Sequence, residues 1–137
     1  MMIVLAEKIR DGVAERIVVR PTGSRRGGFG HELVLERGGI SWAVNSVEVS
    51  PDALVFWSGG GGFPLYLGKE EQWRGEGEFL VGVSRDGSVV RVNRALFAVH
   101  MTVRAFANRL VVTLDAEALL SAVLGILARG GGSEGLR

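Results

Sequence analysis

Residues 32–57 read ELVLERGGISWAVNSVEVSPDALVFW, and their period is that of a β-sheet. Glu32 to Glu36 alternates in strand fashion, Arg37-Gly38-Gly39 supplies a turn, and Ile40, Trp42 and Val44 share one face of the next strand. Strands joined this tightly form an antiparallel hairpin. The apolar positions then change parity, with Val47 and Val49 at odd numbers, which places a β-bulge near Asn45-Ser46. Pro51-Asp52 turns the chain into a further strand, Ala53 to Trp57.

Toward the C-terminus, the glycines Gly59 to Gly62 are followed by Phe63 to Leu67, which reads as an edge strand with Pro64 near its start. An acidic linker over 69–78 leads to a second hairpin, Phe79 to Val83 and Val89 to Val92, across Asp86-Gly87. From Arg94 the period becomes helical: Leu96, Val99, Val103, Phe106 and Leu110 fall on one arc of about 80° at 3.6 residues per turn. Val111 to Thr113 breaks or extends that helix. Asp115 is placed to cap a last helix through Arg129, Gly130 suits its C-terminal turn, and residues 130–137 read as a disordered tail.

Toward the N-terminus, Ile17 to Arg20 reads as a short strand stopped by Pro21, and Thr22 to Gly30 as a loop rich in Gly and Arg. Residues 4–16 place Leu5, Ala6, Ile9 and Val13, with Ile17, on one arc and Glu7, Lys8, Arg10, Asp11 and Glu15 opposite. That spacing predicts an amphipathic helix, weakened by Gly12. The expected fold is α+β: an antiparallel β-sheet of about five to six strands packed with N-terminal and C-terminal helices. One domain is expected over 1–129, with 115–129 a C-terminal oligomerisation helix.

The 137 residues suit one core, and a 47% hydrophobic content with 23% charge is too apolar for intrinsic disorder. There is no cysteine and there are only two His, which argues against disulfides, thiolate chemistry and zinc. Met1 to Leu5 is apolar but meets Glu7 and Lys8 at once, and the apolar run Ala116 to Ala128 is too short to span a bilayer, so neither a membrane partner nor export is expected. The cytoplasm is the expected compartment. Of 16 cations only Lys8 and Lys69 are Lys, and Gln72 is the single Gln. The amide and thiol shortage suits a thermophile, whereas the Arg, Gly and Val richness equally suits a GC-rich genome.

Catalytic patterns fail one by one. His31-Glu32 starts like a zinc-protease motif but Leu35 stands where the second His is needed; Gly82-Val83-Ser84-Arg85 is followed by Asp86 where a nucleophile elbow needs Gly; and Glu70 follows Gly68-Lys69 where a P-loop needs Ser or Thr. No enzyme activity, metal or other cofactor is expected. The net charge of +1 hides segregation, because residues 16–31 hold Arg16, Arg20, Arg25 and Arg26 without an acid, and a second basic stretch runs from Arg85 to Arg109.

Arg25-Arg26-Gly27-Gly28-Phe29-Gly30 resembles the RGG-type segments in which Arg meets phosphate and Phe offers a stacking face; an ordinary hairpin loop is the alternative. Trp42, Phe56 and Trp57 lie on strands, where surface aromatics make platforms for unpaired bases and interior ones make core. Phe56 and Trp57, being adjacent, point to opposite faces. On the flank of the first C-terminal helix, Phe97, Met101, Arg104 and Asn108 form a stripe bordered by Arg94 and His100, suited to bases and phosphates or to a second packing interface. The loop Ser58 to Gly62 reads as a lid or as a mere connection.

In the last helix Leu119, Leu120, Val123, Leu124, Ile126 and Leu127 cover about 160° of the circumference. A partner helix from an identical subunit is one account, with Leu119, Leu120, Val123, Leu124 and Leu127 as the interface of a homodimer or homotetramer. A central position within one core is the other.

This layout, a small α/β domain that is basic and aromatic in its sheet half and ends in an apolar helix, resembles the ThermoDBP-related single-stranded DNA-binding proteins of thermophilic archaea. The resemblance implies binding of single strands through a basic, aromatic-lined surface and assembly into oligomers; it carries no family residue over to a numbered position. The expectation is a single-stranded nucleic-acid-binding protein with little sequence preference, using Arg20, Arg25, Arg26, Phe29, Trp42, Phe56, Trp57, Arg94, Phe97 and Arg104. A homo-oligomeric interaction or scaffold module, and a small-molecule-binding sheet, are the other classes open.

Overall fold

A computed structural model describes residues 2–25, 28–68 and 72–129. The helix expected over 4–16 is instead a β-hairpin, β1 (Ile3–Arg10) and β2 (Val13–Arg25). Asp11 and Gly12 connect the two strands at φ 51° and 78°, the left-handed backbone that a two-residue turn needs to match strand twist. A β-bulge explains the helical look of the sequence. The pairing with β2 shifts between Val4 and Ala6, so the neighbours Leu5 and Ala6 both enter the core and, with Ile9 further on, imitate helical spacing.

From β2 the chain continues as an antiparallel meander through β3 (Gly28–Arg37), β4 (Ile40–Val49), β5 (Ala53–Ser58) and β6 (Gly61–Tyr66). On the other side of β1 lie β9 (Val89–Asn93), β8 (Phe79–Val83) and β7 (Arg74–Glu76). The order is β6-β5-β4-β3-β2-β1-β9-β8-β7, and a short β10 (Val112–Asp115) pairs with β4 off that path. The described residues thus form a strand-dominated half-barrel with two helices, α1 (Arg94–Ala107) and α2 (Ala116–Ala128), both in their C-terminal part. This overturns the expected sheet of about five to six strands between N- and C-terminal helices.

The fork at β4 gives the sheet its shape. Ile40 to Ala43 pair with Arg37 to Val34 of β3, whereas Ser46 to Val49 pair with β10 and, on the other flank, with β5. The register shift between Val44 and Ser46 marks the handover, at the place where the sequence changes phase.

Leu96 and Val99 of α1 and Leu119 and Val123 of α2 pack with Ile17, Leu35, Leu54 and Phe56 in one core. Each such side chain, fully buried, contributes on the order of 1.5–3 kcal/mol. Both helices begin at side-chain caps: Asn93 accepts from the Ala95 amide and Asp115 from the Ala118 amide at 2.7 Å. The middle strands are buried on both faces, since Ile17, Val18 and Val19 are all inaccessible, as is Val34. Val18 and Val34 pair on the outer face, flanked in register by the ion pairs Arg16–Glu7 at 2.5 Å and Arg20–Glu32 at 2.7 Å, whose aliphatic stems shield them.

Helix α1 stops sooner than its apolar arc suggests. Asn108 and Arg109 adopt φ 52° and 72° and turn the chain into β10, leaving Phe106 87% and Leu110 70% exposed rather than facing the core.

Candidate nucleic-acid interface

The register sorts the turns to two ends of the half-barrel. Asp11-Gly12, Gly38-Gly39, Gly59-Gly60 and Asp86-Gly87 lie at one end; the β4–β5 turn at Ser50-Asp52, the Gly77-Glu78 turn and the start of α1 lie at the other. Charges at the first end are largely matched, with Arg10 near Asp11 and Asp86, and Arg37 paired with Glu15. Asp86 is held well below the usual carboxylate range by hydrogen bonds from the Ser84 hydroxyl and from Ser88.

At the second end β2 and β3 outrun their neighbours. Pairing with β1 stops at Val19 and pairing with β4 at Val34, yet the two strands stay paired to Arg25 and Gly28. The result is a two-stranded arm. Arg20, expected to hold phosphate, is ion-paired to Glu32 within it. Arg25 and Phe29 sit on its backbone ladder, and Arg26 lies outside the described residues.

The same end carries α1. The Arg94 guanidinium donates to the Gly77 carbonyl at 2.9 Å, bracing the β7–β8 turn. Phe97 is half-buried, edge-on to Trp73 at 6.1 Å, and packs against the core. His100 is 1% exposed; its Nε2 donates to the Ser50 carbonyl at 2.9 Å, tying α1 to the β4–β5 turn, and burial pushes its pKa down. Beyond it Pro51, Asp52, Met101, Arg104, Asn108 and Arg109 border an open groove of about 570 Å³. Arg104 reaches the Met101 sulfur at 3.8 Å, and neither Arg104 nor Arg109 forms an ion pair among the described residues. Phe106 projects from the last turn of α1 between them in sequence.

The expected sheet aromatics divide. Phe56 is inaccessible, edge-on to Phe63 at 6.1 Å, and belongs to the core. Trp42 is half-buried with Gly59 and Gly60 against its indole and the Arg37 guanidinium 5.8 Å from its ring, so the glycine run packs as a tight turn. Trp57 faces out, 44% exposed, its indole N–H donating to Glu48 at 2.8 Å. Tyr66, which the sequence reading passed over, is 52% exposed on the neighbouring strand. Arg20, Arg25, Arg94, Phe97 and Arg104 all lie toward the arm end of the half-barrel, on different elements, whereas Trp42, Phe56 and Trp57 stand elsewhere on the sheet.

On α2, Leu119, Leu120 and Val123 are buried within the chain and Leu124 and Leu127 partly so. The five residues expected at an oligomer interface thus already serve the chain's own core. Several exposed apolar residues lie instead on α1 and just after it, Met101, Phe106, Leu110 and Val111, besides others on the strands such as Ile40, Trp57 and Val83. Met101 belongs to the stripe the sequence offered, whereas Phe106 and Leu110 were expected on the core-facing arc because that arc was run past Ala107, through the Asn108-Arg109 turn that ends the helix.

Among the described residues no three His, Cys, Asp or Glu side chains gather as metal ligands, and no helix is long and apolar enough to cross a membrane. No protein-family model matches this chain, and no curated protein or solved structure matches it either.

Proposed function

We propose that this protein binds single-stranded nucleic acid, DNA being the expected form, with little overall sequence preference, across the end of the half-barrel that carries the β2–β3 arm and α1. The observation that carries this reading is Phe106, 87% exposed, flanked in sequence by Arg104 and Arg109, neither of which forms an ion pair among the described residues. An aromatic ring this exposed is unfavourable in water, and on a segment that also carries two guanidiniums it suits a ligand made of flat bases and phosphates. The arm supports the reading too, because its tip adds Arg25 at the same end of the sheet. Residues 87–114 hold Arg91, Arg94, Arg104 and Arg109 and no acid, and of these Arg91 is paired with Glu7.

Fluorescence anisotropy with a labelled oligo(dT) tests the proposal. Binding that weakens with salt and exceeds binding to a duplex at matched salt is expected; tighter binding to duplex, or none to either, overturns it.

One observation favours a second reading. Leu110 and Val111, 70% and 60% exposed, add further apolar surface just after α1 that phosphates do not use. A self-associating interaction module would bury all three, and its mark is a mass by light scattering above that of one chain, lowered by Phe106→Ala.

A further inference from the structure

We infer that the groove between the β4–β5 turn and the C-terminal half of α1 is a nucleobase subsite that prefers guanine, with the Asp52 carboxylate receiving the base. The inference rests on the nucleic-acid reading and adds a base identity to one position of the bound strand. At about 570 Å³ the groove falls in the range of small-molecule sites, about 300–1,000 Å³.

Its chemistry is mixed in a particular way. Arg104 and Arg109 offer guanidiniums, Met101 a polarisable thioether, Asn108 an amide and Asp52 an exposed carboxylate. Asp52 forms no ion pair with either arginine, although all three border the same groove. A purely anionic ligand would be repelled by Asp52, so the complementary ligand is negative at one side and a hydrogen-bond donor at the other. A nucleotide meets that description when its phosphate lies on the arginines and its base presents N–H groups to the carboxylate.

The bases differ in what they offer. Thymine and uracil show one N–H between two carbonyls, which a carboxylate repels; cytosine and adenine show an amino group beside a bare ring nitrogen. Guanine alone presents two adjacent donors, N1–H and the N2 amino group, matching both carboxylate oxygens. Met101, 45% exposed, supplies a soft surface for the base plane.

The test compares a labelled oligo(dT) with the same oligonucleotide carrying isolated guanines, in the intact protein and in Asp52→Ala. The native chain is expected to bind the guanine-bearing strand about tenfold tighter, the effect of one good bidentate contact. In Asp52→Ala that ratio should fall to near unity, the guanine-bearing strand losing its advantage over oligo(dT). Equal binding of the two strands by the native chain, or a preference that survives Asp52→Ala, overturns the subsite while leaving the general reading standing. Failure to bind either strand overturns the general reading, and the subsite with it. Asp52 is exposed, so the variant keeps the fold, which circular dichroism checks.

Discussion

Gly60 lies flat against the indole of Trp42: a β carbon at Gly60 would stand 2.4 Å from Cδ2 of the ring. The neighbouring Gly59 would place its β carbon at 3.6 Å, an ordinary contact. Two adjacent glycines, alike in sequence, therefore predict opposite outcomes.

Gly60→Ala should destabilise the protein by about 1–3 kcal/mol, the usual cost of overpacking, whereas Gly59→Ala should leave stability within about 0.5 kcal/mol. Chemical denaturation read by Trp fluorescence measures both. Equal effects would mean that the turn moves away from Trp42 at little cost.

Among the described residues Glu7 is the one strongly buried carboxylate, with 7% of its side chain exposed, and it receives Arg16 at 2.5 Å and Arg91 at 3.4 Å. The Arg91 guanidinium also lies 4.4 Å from the ring of Phe79. Either arginine alone still partners the carboxylate. Removing both strands a buried charge, so Arg16→Met with Arg91→Met should cost at least about 0.5 kcal/mol more than the sum of the single changes. Because both guanidiniums are over one-third exposed, each single change should cost about 1 kcal/mol or less. A double-mutant cycle reads the coupling, and strict additivity would show the arginines to be independent.

His100 gives stability a pH dependence with a definite sign. Burial lowers its pKa below the ordinary 6.5, so on acidification the unfolded chain takes up a proton before the folded one does. Stability should be full above the unfolded value near 6.5 and decline as pH falls from there toward the folded value, by at most about 1.4 kcal/mol per pH unit. His100→Gln keeps a donor for the Ser50 carbonyl and should flatten that decline. The groups facing the ring act in opposite directions, Arg104 lowering the pKa and Asp52 raising it. Denaturation midpoints between about pH 7 and 5 in both proteins provide the check; parallel profiles would place the titration in other groups.

The legible parts of the fold were those written in turn chemistry. Gly38-Gly39 at φ 58° and 80° and the Asp86-Gly87 hairpin follow from their residues, as does the Val44–Ser46 irregularity from the change of apolar parity. Asp11-Gly12 carries the same signal as Asp86-Gly87, but the bulge at Val4–Ala6 set the neighbouring apolar residues to a helical rhythm that masked it. Strands such as β7, three exposed residues, have no pattern to read. At the candidate interface, the arm was visible only as a Gly- and Arg-rich stretch, and Phe106 only as one more apolar residue of an arc. Its exposure depends on where α1 stops and on which sheet lies beneath it, and both are tertiary facts.

Charge and stacking should separate in the nucleic-acid test. Arg104 and Arg109 have no carboxylate partner among the described residues, so replacing both by Ala removes phosphate contacts without opening an ion pair. At about 0.7 released counterions per phosphate on a single strand, the double change should flatten the log–log salt slope of the affinity by about 1.4. Phe106→Ala should instead cost about 1–3 kcal/mol of binding, the loss of one stacked base, with the slope nearly unchanged. Phe106 is 87% exposed, so its removal costs the fold almost nothing and a change in affinity reports on the bound state. Trp57, also exposed but placed toward the opposite end of its strand, is the internal control: Trp57→Ala should leave affinity within about twofold if the strand follows the arm and α1. An affinity that depends on Trp57 and ignores Phe106 would move the interface to the outer face of β5 and β6. An affinity that ignores both, alongside a lowered mass for Phe106→Ala, would make this end of the molecule a contact between copies of the chain.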